Sequence, residues 1–337
     1  MSKEPPKTPL VVEQASDRSG LELAPGDTIG PDVIQPPSWF LRAVDTPCES
    51  QTVEVEGCPI HYLRWGDSSK PGLLLVHGNG AHAYWWAFIA PFLAREYSVV
   101  AMDLSGMGDS GHRDVYSIEL FAKEQIAVCE DAGFFDNPEP PIIVAHSFGG
   151  FVTILTGALY GERLAGTVIV DSPVNPPDRP GGPPEREIRP HRIYPTLDEA
   201  VGRFRLAPPQ PCENHYITDY IARTSLKKVP GGWTWKFDPK IWRRFDIGDT
   251  AGHLKRTKCR IALMRGEYSV LMPEEISAYM FALLGHAAPV IEIPQARHHV
   301  MLDQPLAFVA AIRALLADWE QSDPSARIGG APGPRDR

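Results

Sequence analysis

The sequence of 337 residues is poor in cysteine and has no surplus of basic residues. Its five cysteines are odd in number and form no Cys-x-x-Cys pair, so reduced and mostly buried thiols are expected rather than a disulfide framework. Lys and Arg number 33 against 42 Asp and Glu, which gives a net charge of −9. This balance lacks the basic footprint of a nucleic-acid-binding protein and disfavours an anionic membrane surface as a partner.

Long apolar runs are also missing. No segment approaches the roughly 18 apolar residues of a membrane-spanning helix, and Met1 to Pro6 lack the apolar region of a secretory signal. The chain is therefore expected to be cytoplasmic and to have no membrane span. Its hydrophobic content of 43% is sufficient for a large core. Nothing in the sequence indicates the oligomeric state.

The most informative stretch present is Ile-Ile-Val-Ala-His-Ser-Phe-Gly-Gly at residues 142–150. Its β-branched start predicts a buried strand, and the residues after Ser147 take up a helical period. A serine at such a corner projects from the top of a sheet, and the small residues Ala145 and Gly149 permit the tight turn. The N–H of Phe148 then points to an oxyanion forming on a carbonyl that Ser147 attacks. A serine that merely caps the helix would give the same local pattern.

A glycine-rich loop, His-Gly-Asn-Gly at residues 77–80, follows the apolar run at residues 72–76. An unbroken apolar run is typical of a strand buried on both faces, and the glycines let the backbone approach a ligand. The loop is expected to bring the backbone N–H of Asn79 to the same point as that of Phe148, which would complete an oxyanion hole.

The order of predicted elements indicates an α/β fold with one interruption. Residues 37–173 begin with a hairpin and continue as alternating strands and helices, and residues 255–321 resume this pattern. Residues 174–254 hold a proline- and glycine-rich loop, helical segments and several tryptophans, without strand alternation, and are predicted to be a helical cap over the carboxyl edge of the sheet. Residues 1–36 are predicted to be a flexible N-terminal extension, and residues 322–337 a disordered tail.

These features together resemble the α/β-hydrolase fold family over about residues 50–320. The resemblance is carried by four motifs in the same order: His77-Gly78-Asn79-Gly80, Asp103-x-Ser105-Gly106-x-Gly108-x-Ser110, Ala145-His146-Ser147-Phe148-Gly149-Gly150, and His298 followed by Asp303-Gln304-Pro305. It implies a mostly parallel twisted sheet with helices on both faces and an inserted helical cap. It also implies that Ser147 is the nucleophile, that His298 is the base, and that the N–H groups of Asn79 and Phe148 form the oxyanion hole.

The acid of the implied triad departs from the commonest family pattern. Ser269 stands after the penultimate strand, where relatives usually carry an aspartate. Asp171 ends the strand after the nucleophile helix, which part of the family uses instead, and the order Ser147, Asp171, His298 is the order that the fold imposes. Glu267 is the alternative acid, and a turn-capping role for Asp171 stays open.

A serine at the corner, rather than an aspartate, separates the chain from the related haloalkane dehalogenases and epoxide hydrolases and favours acyl chemistry. The predicted function is hydrolysis of a carboxylic ester of a small or medium-sized, largely apolar substrate through an acyl-enzyme, with no metal or organic cofactor. A carbon–carbon bond hydrolase, a lactonase or a cofactor-free perhydrolase would use the same triad, and a non-catalytic ligand-binding protein on the same fold is an alternative of another class. The residues predicted to contact the substrate are Trp85, His146, Trp233, Trp235 and His299.

Overall fold

The structure is a computed structural model that describes residues 35–179, 190–242 and 245–322. The predicted N-terminal extension and C-terminal tail lie almost wholly outside the described residues, as does part of the proline- and glycine-rich loop.

The described residues are organised around one eight-stranded sheet. In space its strands follow the order β1-β2-β4-β3-β5-β6-β9-β10. Strands β1 and β2 form the predicted opening hairpin, β2 runs antiparallel to β4, and the other neighbours are parallel. This arrangement confirms the predicted mostly parallel sheet. The strands are β1 (Glu49–Val55), β2 (Cys58–Trp65), β3 (Gly72–Val76), β4 (Ser98–Met102), β5 (Ile142–His146), β6 (Gly166–Val170), β7 (Leu226–Val229), β8 (Gly232–Trp235), β9 (Arg260–Gly266) and β10 (Val290–Ile293).

The helices are α1 (Ser38–Val44), α2 (Ala90–Leu93), α3 (Ile118–Asp131), α4 (Phe148–Tyr160), α5 (Leu197–Val201), α6 (His215–Thr224), α7 (Thr250–Lys255), α8 (Glu274–Leu283), α9 (Val300–Asp303) and α10 (Pro305–Gln321). Helix α3 begins where the Ser117 hydroxyl accepts the N–H of Leu120 at 3.2 Å, as an N-cap does. A 3-10 turn at Ala83–Trp86 precedes the short α2, in which Pro91 stands in the first turn because it lacks an N–H and is tolerated only near a helix start. None of the described helices is both long and apolar enough to cross a lipid bilayer.

Helices cover both faces of the sheet, as predicted. Leu73 of β3 lies in an apolar cluster with Phe308 of α10. The next residue, Leu74, points to the opposite face and belongs to a cluster with Phe121 of α3 and Val152 of α4. Successive side chains of a strand point to opposite faces, so an unbroken apolar strand is stable only when both faces are covered.

The inserted segment, residues 174–254, contains α5, α6 and α7 in its described part, together with the antiparallel hairpin of β7 and β8. The sequence pattern did not predict this hairpin. Each of its strands is four residues long, which is too short to show a clear alternation. Helix α7 packs against α4 and α8, and Leu254 lies in their shared apolar cluster.

Hydrogen bonds connect the inserted segment to three loops at the carboxyl ends of the sheet strands. These loops are the ones after β3, β4 and β10, and together they surround the end of β5. The bonds are His82 Nε2 to Ser225 Oγ at 2.8 Å, the Asp238 N–H to the Gly106 carbonyl at 2.7 Å, and the His299 N–H to Gln210 Oε1 at 3.0 Å.

Candidate active site

The carboxyl ends of the parallel strands bring three predicted residues together. Ser147 follows β5, Asp171 follows β6, and His298 lies in the loop after β10. Ser147 Oγ is 3.0 Å from His298 Nε2, and His298 Nδ1 is 2.8 Å from Asp171 Oδ1. The three side chains therefore form one hydrogen-bonded chain from a hydroxyl through an imidazole to a carboxylate.

Ser147 occupies the corner between β5 and α4 in an unusual backbone conformation. Its φ is 51° and its ψ is −117°, a region that residues with a side chain rarely adopt. The neighbouring glycines make the corner possible, because a Cβ on Gly149 would lie 2.5 Å from the His77 carbonyl oxygen and a Cβ on Gly150 would collide with Ser172. The turn leaves the Ser147 side chain partly exposed at the sheet edge.

The carboxylate of Asp171 is fully buried and held by three donors. Besides His298 Nδ1, it accepts the Ser269 hydroxyl at 2.6 Å and the Gly266 N–H at 2.9 Å. A carboxylate only accepts, so Nδ1 of a neutral His298 carries the ring proton. The lone pair of Nε2 then faces Ser147, which is the tautomer that a general base requires.

Glu267, the alternative acid, is placed elsewhere. Its carboxylate accepts the N–H of Gln295 at 2.8 Å in an exposed setting, and no hydrogen bond joins it to His298 in the described part of the chain. Ser269, at the usual position of the family acid, donates to Asp171 instead. Ser269 was not among the predicted site residues, although its position after the penultimate strand, where relatives usually carry the acid, indicated that it lies near the histidine.

The loop of residues 77–80 lies against the serine corner. A Cβ on Gly78 would be 3.2 Å from Ser147 Cβ, so the loop backbone lies next to the Ser147 side chain. His77 supports the loop, since its Nδ1–H donates to the Gly78 carbonyl at 2.7 Å and its Nε2 accepts the Leu104 N–H at 3.1 Å. Burial lowers the pKa of His77, which keeps the ring neutral as these two bonds require.

Two backbone donors near Ser147 are available to a ligand. The N–H of Phe148 opens α4 and has no carbonyl one turn earlier to accept it. Among the described residues, neither this N–H nor that of Asn79 donates a hydrogen bond to the backbone. Both stand in the elements that meet at Ser147, where an oxyanion needs donors.

His146 and His299 flank His298. The Nε2–H of His146 donates to the His298 backbone carbonyl at 2.9 Å, and the His146 and His299 rings lie with their centroids 4.8 Å from that of His298. Burial, reinforced by repulsion from the other two imidazoles, holds the pKa of His146 well below its usual range. Burial likewise lowers the pKa of His299 to about 3. Both rings are therefore neutral near pH 7.

The structure brings some of the predicted substrate-contacting residues to the triad and not others. The His146 and His299 rings contact that of His298. Trp85 is buried and contacts the His299 ring, with the two centroids 5.5 Å apart. Trp233 and Trp235 lie in β8 instead, and no aromatic contact joins either to these rings within the described chain.

Trp233 and Trp235 both contact Tyr194, another residue of the inserted segment. The Trp235 ring packs on Tyr194 at 6.4 Å between centroids, and Trp233 pairs with Tyr194 through the backbone. A different tryptophan, Trp242, reaches the serine corner, with its ring 5.1 Å from that of Phe148. The density of aromatic residues in the sequence does not show which of the rings contacts a residue next to Ser147.

Asp103, in the loop after β4, binds the backbone that follows the loop of residues 77–80. Its carboxylate accepts the Ala83 N–H at 2.6 Å, the Asp109 N–H at 2.8 Å and His61 Nδ1 at 2.7 Å. Burial opposes its ionisation, but the bond to His61 and the electrostatic attraction of the neighbouring histidines together outweigh burial, so that the pKa of Asp103 is lowered. These bonds hold the backbone that follows the loop of residues 77–80.

Comparison with known proteins finds a family described as "Alpha/beta hydrolase family", whose model matches residues 73–312. The chain is 24% identical to "Esterase Rv0045c" of Mycobacterium tuberculosis over 273 residues, which are 78% of this chain and 88% of that protein. A shorter match, of 26% identity over 36% of this chain and 33% of the relative, is to "Epoxide hydrolase 4" of Mus musculus.

Solved structures resemble the fold over most of its length. The thioesterase domain from the curacin biosynthetic pathway superposes with a TM-score of 0.66 at 22% identity, covering 80% of this chain and all of that one. The crystal structure of Esterase Rv0045c gives a TM-score of 0.63 at 22% identity, covering 80% of this chain and 91% of that one. At these identities the likeness shows a shared fold.

Proposed function

This chain is a member of the alpha/beta hydrolase family and a hydrolase, and we propose that it cleaves carboxylic esters of small or medium-sized, largely apolar substrates through an acyl-enzyme formed on Ser147. The observation that carries the proposal is the hydrogen-bonded chain from Ser147 through His298 to the buried Asp171, with distances of 3.0 and 2.8 Å. A hydroxyl activated in this way attacks a carbonyl carbon.

In the first half of the reaction, His298 Nε2 accepts the proton of Ser147 as the hydroxyl oxygen bonds to the ester carbonyl carbon. Asp171 keeps the proton on Nδ1 and stabilises the imidazolium that forms. The bonds from Ser269 and Gly266 hold the Asp171 carboxylate in place, so that it need not reorient when the charge on His298 appears.

The negative charge that develops on the carbonyl oxygen is stabilised by the N–H groups of Asn79 and Phe148. The intermediate then collapses, His298 returns its proton to the departing alcohol, and the acyl group remains on Ser147. In the second half, His298 takes a proton from water as the water oxygen bonds to the acyl carbon. The bond between that carbon and Ser147 Oγ then breaks, His298 returns the proton to Oγ, and the acid is released. No step requires an additional group.

The surroundings of Ser147 favour apolar substrates. The Trp242 and Phe245 rings contact Phe148 at 5.1 and 5.5 Å between centroids, and the Trp85 ring contacts that of His299. Rings at these positions would exclude water from the acyl or alcohol group. The name of the similar protein Esterase Rv0045c describes acyl chemistry of the same kind.

The proposal is tested by Ser147→Ala. Deleting one hydroxyl from a partly exposed corner opens little cavity, so the fold should persist while hydrolysis of p-nitrophenyl esters falls by about 10⁴-fold or more in kcat/KM. The assay uses esters from acetate to dodecanoate, with circular dichroism and thermal melting as controls of the fold. Activity of the variant within tenfold of the parent would remove Ser147 as the nucleophile.

A fluorophosphonate probe separates the esterase from the alternative of a non-catalytic ligand-binding protein. An activated serine reacts with the probe and an ordinary serine does not. The parent protein should be labelled at Ser147, and Ser147→Ala should not be labelled. A folded parent protein that resists labelling would favour the non-catalytic alternative.

A further inference from the structure

Three buried imidazoles, those of His146, His298 and His299, face one another beside the reacting serine. We propose that this trio binds a divalent transition-metal ion, with Zn²⁺ as the representative, and that the bound ion inhibits the enzyme. The binding depends only on the three side chains. The inhibition rests on the proposed function, because it requires that His298 be the base.

The spacing of the rings matches that of imidazoles on one metal ion. The centroids are 4.8 Å apart for His146 and His298, 4.8 Å for His298 and His299, and 5.6 Å for His146 and His299. With Zn–N bonds of about 2.0–2.1 Å in tetrahedral geometry, imidazole centroids lie about 5.2 Å apart. One nitrogen of each ring lies within 4.8 Å of the others, so side-chain shifts of about 1 Å bring all three to one ion.

The hydrogen bonds of two of the rings leave a lone pair free for a metal. His146 donates its Nε2–H to the His298 carbonyl, so its Nδ1 is unprotonated. His298 donates its Nδ1–H to Asp171, so the lone pair of its Nε2 is free on the side of Ser147. Ligating histidines in metal sites are oriented in this way, with the second nitrogen donating to a carboxylate or a backbone carbonyl.

His299 supplies the independent observation that points to a ligand. Only 4% of the residue is exposed, and neither ring nitrogen has a hydrogen-bond partner in the part of the chain that the structure describes. The Pro208 carbonyl lies near the ring but outside normal hydrogen-bond geometry. Burying a polar group without a partner is unfavourable, and coordination of an ion would satisfy one of the two nitrogens.

The donor set determines which ions fit. Imidazole suits Zn²⁺, Cu²⁺ and Ni²⁺, whereas Mg²⁺ and Ca²⁺ prefer oxygen ligands. The other candidate cluster in the described chain, His61 with Asp103 and Asp109, is already engaged, because Asp103 accepts His61 and two backbone N–H groups. The histidine trio is therefore the better site for such an ion.

An ion at the trio blocks the proposed reaction at a defined atom. Coordination uses the lone pair of His298 Nε2, which would otherwise take the proton of Ser147. Inhibition should thus be reversible by a chelator and should protect Ser147 from a fluorophosphonate probe.

The binding is tested without reference to activity, in the Ser147→Ala protein, by competition for Zn²⁺ with a chromogenic chelator. Adding His299→Phe should weaken Zn²⁺ binding by at least tenfold, because replacing a residue that only hydrogen-bonds to a metal ligand already lowers metal affinity by about tenfold or more. Asp109→Asn, in the other cluster, is the matched control and should leave the affinity within twofold. Unchanged affinity in His299→Phe, or a tenfold loss in Asp109→Asn, would overturn the assignment.

A spectroscopic measurement on the unaltered chain removes the dependence on variants. Electron paramagnetic resonance of one equivalent of Cu²⁺ should show coupling to three imidazole nitrogens, and coupling to one nitrogen or to none would overturn the proposal.

The inhibition is tested by comparing how Zn²⁺ inhibits ester hydrolysis by the parent protein and by His299→Phe, with Mg²⁺ as the negative control. The inhibitory midpoint should rise at least tenfold in His299→Phe, each protein being referred to its own metal-free rate. If no ester is hydrolysed, the proposed function fails, while the chelator competition still decides the metal site.

Discussion

At the scale of single residues, the surroundings of Asp171 and Glu267 explain why the first carboxylate, and not the second, is hydrogen-bonded to His298. Asp171 follows β6 with a φ of 50° and is fully buried, with Ser269, Gly266 and His298 as its donors. Glu267 follows β9 nearby, but its carboxylate accepts the N–H of Gln295. Because Ser269 is a donor, it complements an acid on the neighbouring strand rather than replacing it.

The acid can be identified by comparing Asp171→Asn with Glu267→Gln. Both changes preserve shape and remove charge, so only the partner of His298 should matter to turnover. We expect Asp171→Asn to lower kcat by roughly 10² to 10⁴-fold, because an amide supports the wrong imidazole tautomer and does not stabilise the imidazolium. Glu267→Gln should cost less than tenfold. Steady-state kinetics on one ester decides the matter, and the reverse ranking would require a different triad.

At the scale of elements, the hairpin of β7 and β8 changes the interpretation of the tryptophans in the inserted segment. Trp235 packs on Tyr194 and Phe204 at 6.4 and 6.2 Å between centroids, which ties the hairpin to the chain on either side of α5. Trp242 contacts Phe148 at the start of α4. One ring thus supports the segment while another lies at the serine corner.

Trp242→Ala and Trp235→Ala should therefore affect ester selectivity differently. Removing the ring beside Phe148 should lower kcat/KM for octanoate relative to acetate esters by about tenfold, since a pocket discriminates by the apolar contacts it offers. Removing the Trp235 ring should lower the melting temperature and reduce all rates in similar proportion. If Trp235→Ala instead changes the octanoate-to-acetate ratio and Trp242→Ala does not, the sequence-based prediction that Trp235 contacts the substrate would stand.

At the scale of the whole molecule, several histidines are buried in neutral form near the sheet edge. Burial lowers the pKa of His82 and of His299 to about 3, and lowers that of His77 as well. In the unfolded chain a histidine titrates near 6.5. Below that pH the unfolded state binds protons that the folded state does not, so the free energy of unfolding must fall as the pH falls from 6.5 towards 3.

This linkage predicts the effect of His299→Gln on acid stability. Each such histidine contributes a slope of about 1.4 kcal/mol per pH unit below 6.5, so the parent should lose about 2 kcal/mol more than the variant between pH 6.5 and 5. Urea unfolding at the two pH values measures the difference. A slope equal in parent and His299→Gln would mean that His299 is protonated in the folded state.

The sequence by itself determined the sheet, the helical layers and the corner that carries Ser147. Buried parallel strands require apolar runs, helices require a 3.6-residue period, and the turn after β5 requires small residues such as Gly149. These constraints act between neighbours in the chain and can be seen in the order of residues. The antiparallel start was predictable from the short connection of the opening hairpin, and the parallel remainder of the sheet was implied by the resemblance to the α/β-hydrolase fold family.

Only the tertiary structure decided which groups meet at the sheet edge. Asp171 and Glu267 each follow a strand at that edge. The conformations of the loops after β6, β9 and β10 bring the Asp171 carboxylate to 2.8 Å from His298 and direct the Glu267 carboxylate to the N–H of Gln295. The hairpin of β7 and β8 and the trio of histidines depend in the same way on contacts between distant segments. Local sequence patterns follow from steric and hydrophobic periodicity over a few residues, whereas a hydrogen bond between residues 171 and 298 depends on the packing of everything between them.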